Sequence, residues 1–167
     1  LELLHIGKSS LHYLRYLEYF FLFFLLYTTC KTKQRTVIAL TLSVFTTFAI
    51  TIYGYGQKFL YWPVYSTMNR EFSKGIRLYL TEHARVQSTF GGHYDLAAYL
   101  VVMLPFVLAI ALVSRQWYLK IVGHVVFWFG LWLLIASASR TSFVAFLVSF
   151  GVLITLLMIK HRGNKWM

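Results

Sequence analysis

One cysteine, two prolines and five acidic residues are all that this 167-residue chain holds of those kinds. The lone Cys30 excludes an internal disulfide and any paired-cysteine metal site. The lone aspartate, Asp95, excludes the paired aspartates that hold a divalent ion against a nucleotide sugar. A glycine-rich phosphate loop with its lysine, a GxGxxG turn and an HExxH helix are also missing, so the chemistries those motifs carry have no sequence support. The chain is expected to work without a metal or a cofactor. Charge is scarce as well, at 13% of residues, where a soluble domain carries about a quarter.

What fills the chain is apolar. Hydrophobic residues make up 59% and aromatics 19%, with a mean hydropathy of +0.64. Five apolar runs, over residues 13–29, 36–53, 94–113, 121–136 and 142–159, are near the length that a bilayer core requires. Pro105 falls inside the third and should kink it. No segment has the small-residue cleavage site of a signal peptide, so the runs read as spans. The expected fold is an all-α membrane protein of about five transmembrane helices plus an interfacial helix. The chain opens on Leu1, and it is expected to be part of a larger polytopic bundle.

The net charge of +11 arises from short basic clusters between these runs. Lys31, Lys33 and Arg35 form one, Arg115 and Lys120 a second, and Lys160, Arg162 and Lys165 a third. These segments hold eight of the sixteen Lys and Arg residues and no acidic residue. Glu2, Glu18, Glu71, Glu82 and Asp95 all fall on the other side. The asymmetry is a positive-inside bias, which predicts a multi-pass chain starting outside and ending in the cytoplasm. Anionic headgroups, rather than nucleic acid, are the partners expected for the basic clusters.

The longest polar stretch is the outer loop, residues 54–93. Its first half is aromatic and turn-rich, able either to stack on sugar rings or to form an interfacial belt. In its second half Phe72, Ile76, Tyr79, Leu80 and Ala84 recur at helical spacing against Glu71, Lys74, Arg77, Glu82 and Arg85. That pattern predicts a surface-lying helix over residues 69–86.

Two arginines stand out on this face. Arg140, in Ser137-Ala138-Ser139-Arg140, opens the fifth span, where a cation opposes the helix dipole and calls for an anionic partner. An arginine snorkelling to the interface, or paired with Glu82 or Asp95, would read the same way. Arg85 precedes the third span, followed by Gly91-Gly92 and then His93 and Asp95. Histidine is suited to proton transfer near neutral pH, and a carboxylate in a first turn is also favoured by the dipole alone.

The segment Arg85-Val-Gln-Ser-Thr-Phe-Gly-Gly-His-Tyr-Asp-Leu-Ala-Ala-Tyr-Leu, ahead of a span containing Leu104-Pro105, resembles the O-antigen ligase family. That family includes related polymerases and protein O-oligosaccharyltransferases. Ser137-Ala138-Ser139-Arg140 is similar to its Ser-Arg motif, with two spans between, and the likeness covers residues 80–160. The resemblance implies a glycosyltransferase of lipopolysaccharide or polysaccharide biosynthesis in the bacterial inner membrane. It would move a glycan from a polyprenyl-diphosphate carrier to a hydroxyl of a glycan, lipid or protein acceptor on the outer face. Arg85 and Arg140 would bind the diphosphate, and His93 or Asp95 would serve catalysis. Many members have Pro-Asn where this chain has His93-Tyr94-Asp95, and members carry a second outer loop beyond this stretch. The alternative is a non-enzymatic module, such as a transporter or flippase-like subunit.

Overall fold

The structure is a computed structural model that describes residues 2–65 and 77–163. Five helices account for most of them: α1 (Glu2–Thr29), α2 (Lys33–Phe59), α3 (His93–Val113), α4 (Trp117–Ala136) and α5 (Arg140–Gly163). Four of these, α2 to α5, are long and apolar enough to cross a membrane, and Phe20–Thr29 of α1 is a shorter apolar stretch. Phe106, Trp128, Val144 and Val148 stand exposed on them, which water would oppose and lipid would not. The architecture is that of an all-α membrane protein.

The chain divides into two compact units, Leu1–Leu42 and Ser43–Met167. The first holds α1 and the opening turns of α2. Thr32 caps α2 by accepting the Arg35 N–H on its hydroxyl at 3.4 Å, leaving one fewer unpaired donor at the helix start. Phe20 and Phe24, one turn apart, meet edge to face with ring centres 5.1 Å apart.

The second unit contains the core. On α3, Ala97, Leu100, Leu104, Val107 and Ala111 are fully buried. Their alternating spacing of three and four residues is the seam of two helices crossing at a shallow angle. On α4 the matching row is Gly123, Val126, Gly130 and Leu133, all buried. A Cβ added at Gly123 would stand 2.7 Å from the Ala111 Cβ, and one at Gly130 would stand 2.5 Å from a Leu104 methyl. The two contacts are one heptad apart on each helix, so they fix an antiparallel hairpin. Small residues at such a seam let helix backbones approach closely where lipid provides no hydrophobic drive. The same register puts Ala97 level with Ser137, both wholly buried, at the open end of the hairpin. α5 packs on α3 and more lightly on α4. α3 runs unbroken through Pro105.

Two expectations need correction. Residues 54–59 are helical rather than loop, so α2 extends a turn and a half past the expected span. Gly54 and Gly56 are tolerated because each gives its missing side chain's space to a neighbour, Leu133 for Gly54 and the Trp62 ring for Gly56. The second correction concerns the surface helix over residues 69–86. Residues 66–76 lie outside the described part, and from Arg77 to Val86 the chain is not helical. Its backbone is committed elsewhere. Val64 donates its N–H to the Leu78 carbonyl at 2.7 Å, and Lys58 donates from its ammonium to the Glu82 carbonyl. These long-range partners outbid the local helical pattern.

Candidate functional site

The loop that leads into α3 is anchored at Ser88, which is fully buried. Ser88 donates its N–H to the Gln57 Oε1 at 2.8 Å, and its carbonyl accepts from Gln57 Nε2 at 2.9 Å. Its hydroxyl donates to the Ile50 carbonyl at 2.7 Å. The Gln57 carboxamide thus pairs with one residue as a strand neighbour would, and it also donates to the Pro63 carbonyl at 3.2 Å. Ser88 has a φ of 52°, a left-handed conformation unfavourable by about 1–2 kcal/mol for a residue with a Cβ. The three hydrogen bonds hold it there.

Two residues earlier in this anchored run comes a link to the other motif. Val86 is fully buried and donates its N–H to the Ala136 carbonyl at 3.2 Å. Ala136 ends α4, and the turn that follows opens α5 at Arg140. Ala138 in that turn is left-handed, with a φ of 52°. The Ser139 carbonyl accepts the Phe143 N–H at 3.0 Å, the first turn of α5, while its hydroxyl donates to Ser142 at 2.8 Å. The backbone of the first motif is therefore bonded to the backbone just ahead of the second.

The four expected residues flank this junction along the chain. Arg85 is exposed, and its Nη1 lies 2.9 Å from His93 Nε2. A guanidinium can only donate, so His93 accepts on Nε2, is neutral and carries its proton on Nδ1. His93 is the first residue of α3, immediately ahead of the apolar run over residues 94–113. Desolvation lowers its pKa below the ordinary 6.5, the Arg85 charge adds to the lowering, and Asp95 opposes it. Asp95 is exposed in the first turn of α3. Arg140 is exposed at the first position of α5, and among the described residues nothing pairs with its guanidinium. The Glu82 and Asp95 pairings weighed from sequence are not made among them.

The α3 N-terminus is capped by Gly92, extended at φ −155° and without a side chain to accept its first N–H groups. Among the described residues no three His, Cys, Asp or Glu side chains gather as a metal site would require. The aromatics of the 54–65 segment divide. Tyr55 and Phe59 lie against Trp132 with ring centres 5.3 Å and 5.5 Å away, on the outside of the helices. Trp62 turns inward, onto Gly56 and Tyr53.

Sequence reasoning missed Gln57 and Ser88, which shape the site, and Gln87, which lies between its anchors. The available signal was a glutamine just past two glycines near the end of an apolar helix, a polar group with no reason to be there unless paired. Compared with known proteins, the chain matches no family model, no curated protein and no solved structure.

Proposed function

We propose that the chain is the carrier-binding part of a membrane glycosyltransferase of the O-antigen ligase type. It works at the outer face of the bacterial inner membrane, with α1 crossing as a fifth span beside the four long apolar helices, so that the start of the chain lies outside and its end in the cytoplasm. The observation that carries the reading is the Val86-to-Ala136 bond at 3.2 Å, which holds the Arg85 segment against the turn ahead of Arg140. Two arginines from separate helical connections then serve one interface, with neutral His93 and Asp95 beside the first.

The chemistry follows from these groups. An acceptor hydroxyl attacks the anomeric carbon of the carrier-linked sugar, and the bond from that carbon to the diphosphate oxygen breaks. The polyprenyl diphosphate leaves with the electron pair. Arg85 and Arg140 meet its charge through forked, charge-assisted hydrogen bonds that a lysine cannot copy. The hydroxyl proton needs a base. His93 has its lone pair engaged by Arg85, so in this arrangement it orients the guanidinium and offers an Nδ1–H donor. Asp95, exposed in the first turn of α3, takes the proton in this reading. A transporter or flippase-like subunit would place ionisable groups near the bilayer midplane. Among the described spans only His124 lies inside, and its Nδ1 bonds the Lys120 carbonyl at 2.7 Å one turn away.

The test is glycan transfer from a polyprenyl-diphosphate donor in membranes expressing the protein. Arg85→Lys and Arg140→Lys should each reduce transfer by about 100-fold, the scale seen when one charge-stabilising donor is removed. Normal transfer by both variants would reject the reading.

A further inference from the structure

Gln87 carries an unmet demand. Its side chain is only 7% exposed, and its carboxamide nitrogen Nε2 has no hydrogen-bond partner among the described residues. Buried polar groups are almost always paired, and an unpaired buried N–H is unfavourable. Loose packing does not account for it. Val86 on one side is tied to Ala136, and Ser88 on the other is tied to Gln57 and Ile50. The Gln87 carbonyl itself accepts the Phe90 N–H at 3.1 Å. The backbone on both sides is fixed, so the side chain cannot be carried out to solvent by a small shift of the loop.

The surroundings define which acceptor fits. Arg85 lies two residues back, Arg140 follows the turn bonded to Val86, and Lys58 reaches this loop at Glu82. Among the described residues from 77 to 95, Glu82 and Asp95 are the acidic groups that oppose these cations. The first N–H groups of α3, five residues on, have no side-chain cap. An unpaired N–H on a loop that carries Arg85 and is bonded just ahead of Arg140 favours an anionic oxygen over a neutral one.

Deepening the glycosyl-transfer reading, and resting on it, we infer that Gln87 Nε2 donates to a phosphate oxygen of the carrier diphosphate. Arg85 and Arg140 supply the charge, and Gln87 supplies a buried neutral donor that fixes where the phosphate sits. A third cation there would also bind, but it would have to be desolvated when the site is empty.

The test is calorimetric binding of farnesyl diphosphate, farnesyl monophosphate and inorganic pyrophosphate to the chain in phosphatidylcholine nanodiscs, with thermal unfolding in parallel. Gln87→Leu and Gln87→Met replace the carboxamide with apolar groups of similar size. Each should weaken both diphosphates on the order of 10-fold while leaving the ligand-free Tm unchanged or raised, because the orphaned donor is gone. Unchanged diphosphate affinity in both variants, with the wild type binding, overturns the role of Gln87 and leaves the proposed function standing. A fall in Tm in both variants assigns Gln87 to the fold and overturns the inference. Monophosphate binding of equal strength and equal dependence on Gln87 indicates a single-phosphate site and overturns the diphosphate assignment. A wild type that binds none of the three probes overturns this inference and the proposed function together.

Discussion

Gln57 and Ser88 hold each other by a two-way amide bond, 2.8 Å in one direction and 2.9 Å in the other. α2 thereby grips the loop that precedes α3 at a left-handed residue. Gln57→Leu leaves the Ser88 N–H and carbonyl unpaired in a buried place, at about 1–3 kcal/mol for each group. The Tm of the purified protein in detergent should fall by several degrees, and the glycan transfer proposed to depend on Arg85 should fall with it. A Tm equal to wild type would show that the clasp contributes nothing to stability.

The α3–α4 seam makes a paired prediction. A side chain at Gly123 meets both the Cβ and, at 3.2 Å, the backbone Cα of Ala111, and backbone cannot swing away. Gly123→Val should destabilise by about 1–3 kcal/mol through overpacking. Gly151 on α5 has nothing within 4 Å of an added Cβ. Gly151→Ala should be neutral or stabilising by up to about 1 kcal/mol, from helix propensity. Detergent unfolding curves that rank the two variants the other way would contradict the register.

Acid should loosen the junction. The unfolded value for His93 is near 6.5 and the folded one lies lower, chiefly through desolvation. Between the two, the unfolded chain binds more protons, so stability drops as pH falls through that window and is fully present above it. Protonation also removes the lone pair that accepts from Arg85. The wild type should therefore lose more Tm between pH 7 and pH 5 than His93→Gln does. Parallel pH profiles of the two proteins would sink the assignment.

Orientation is open to direct labelling. Thr81 and Gln116 are both exposed and lie on opposite sides of the proposed membrane. In a Cys30→Ser background, Thr81→Cys should react with an impermeant maleimide on intact cells. Gln116→Cys should react only after permeabilisation. The reverse pattern would invert the topology drawn from the basic clusters.

Hydropathy alone located α3, α4 and α5 to within about four residues at each end, because length and apolar content are local properties. The end of α2 was not legible: glycines and aromatics at residues 54–59 read as a turn, yet Leu133 and Trp62 fill the glycine surfaces and keep the helix going. The stretch before α3 misled for the opposite reason. Its spacing was helical, but Leu78, Glu82 and Val86 each bond to distant partners, which no local window contains. Arg85, His93, Asp95 and Arg140 were legible as charged or titratable groups at span ends. The bond between Arg85 and His93 was not, since it depends on how Ser88 turns the chain between them.

The glycine-lined hairpin has a consequence for biogenesis. Antiparallel helices joined by so short a connection insert as one object, and both open ends finish in the same leaflet. Those ends carry His93 on one side and Ala136, four residues before Arg140, on the other. Should the hairpin enter the bilayer upside down, the two ends would invert together, still side by side. Misinsertion could place the cationic rim in the wrong compartment, where it would be idle, but it could not separate its halves.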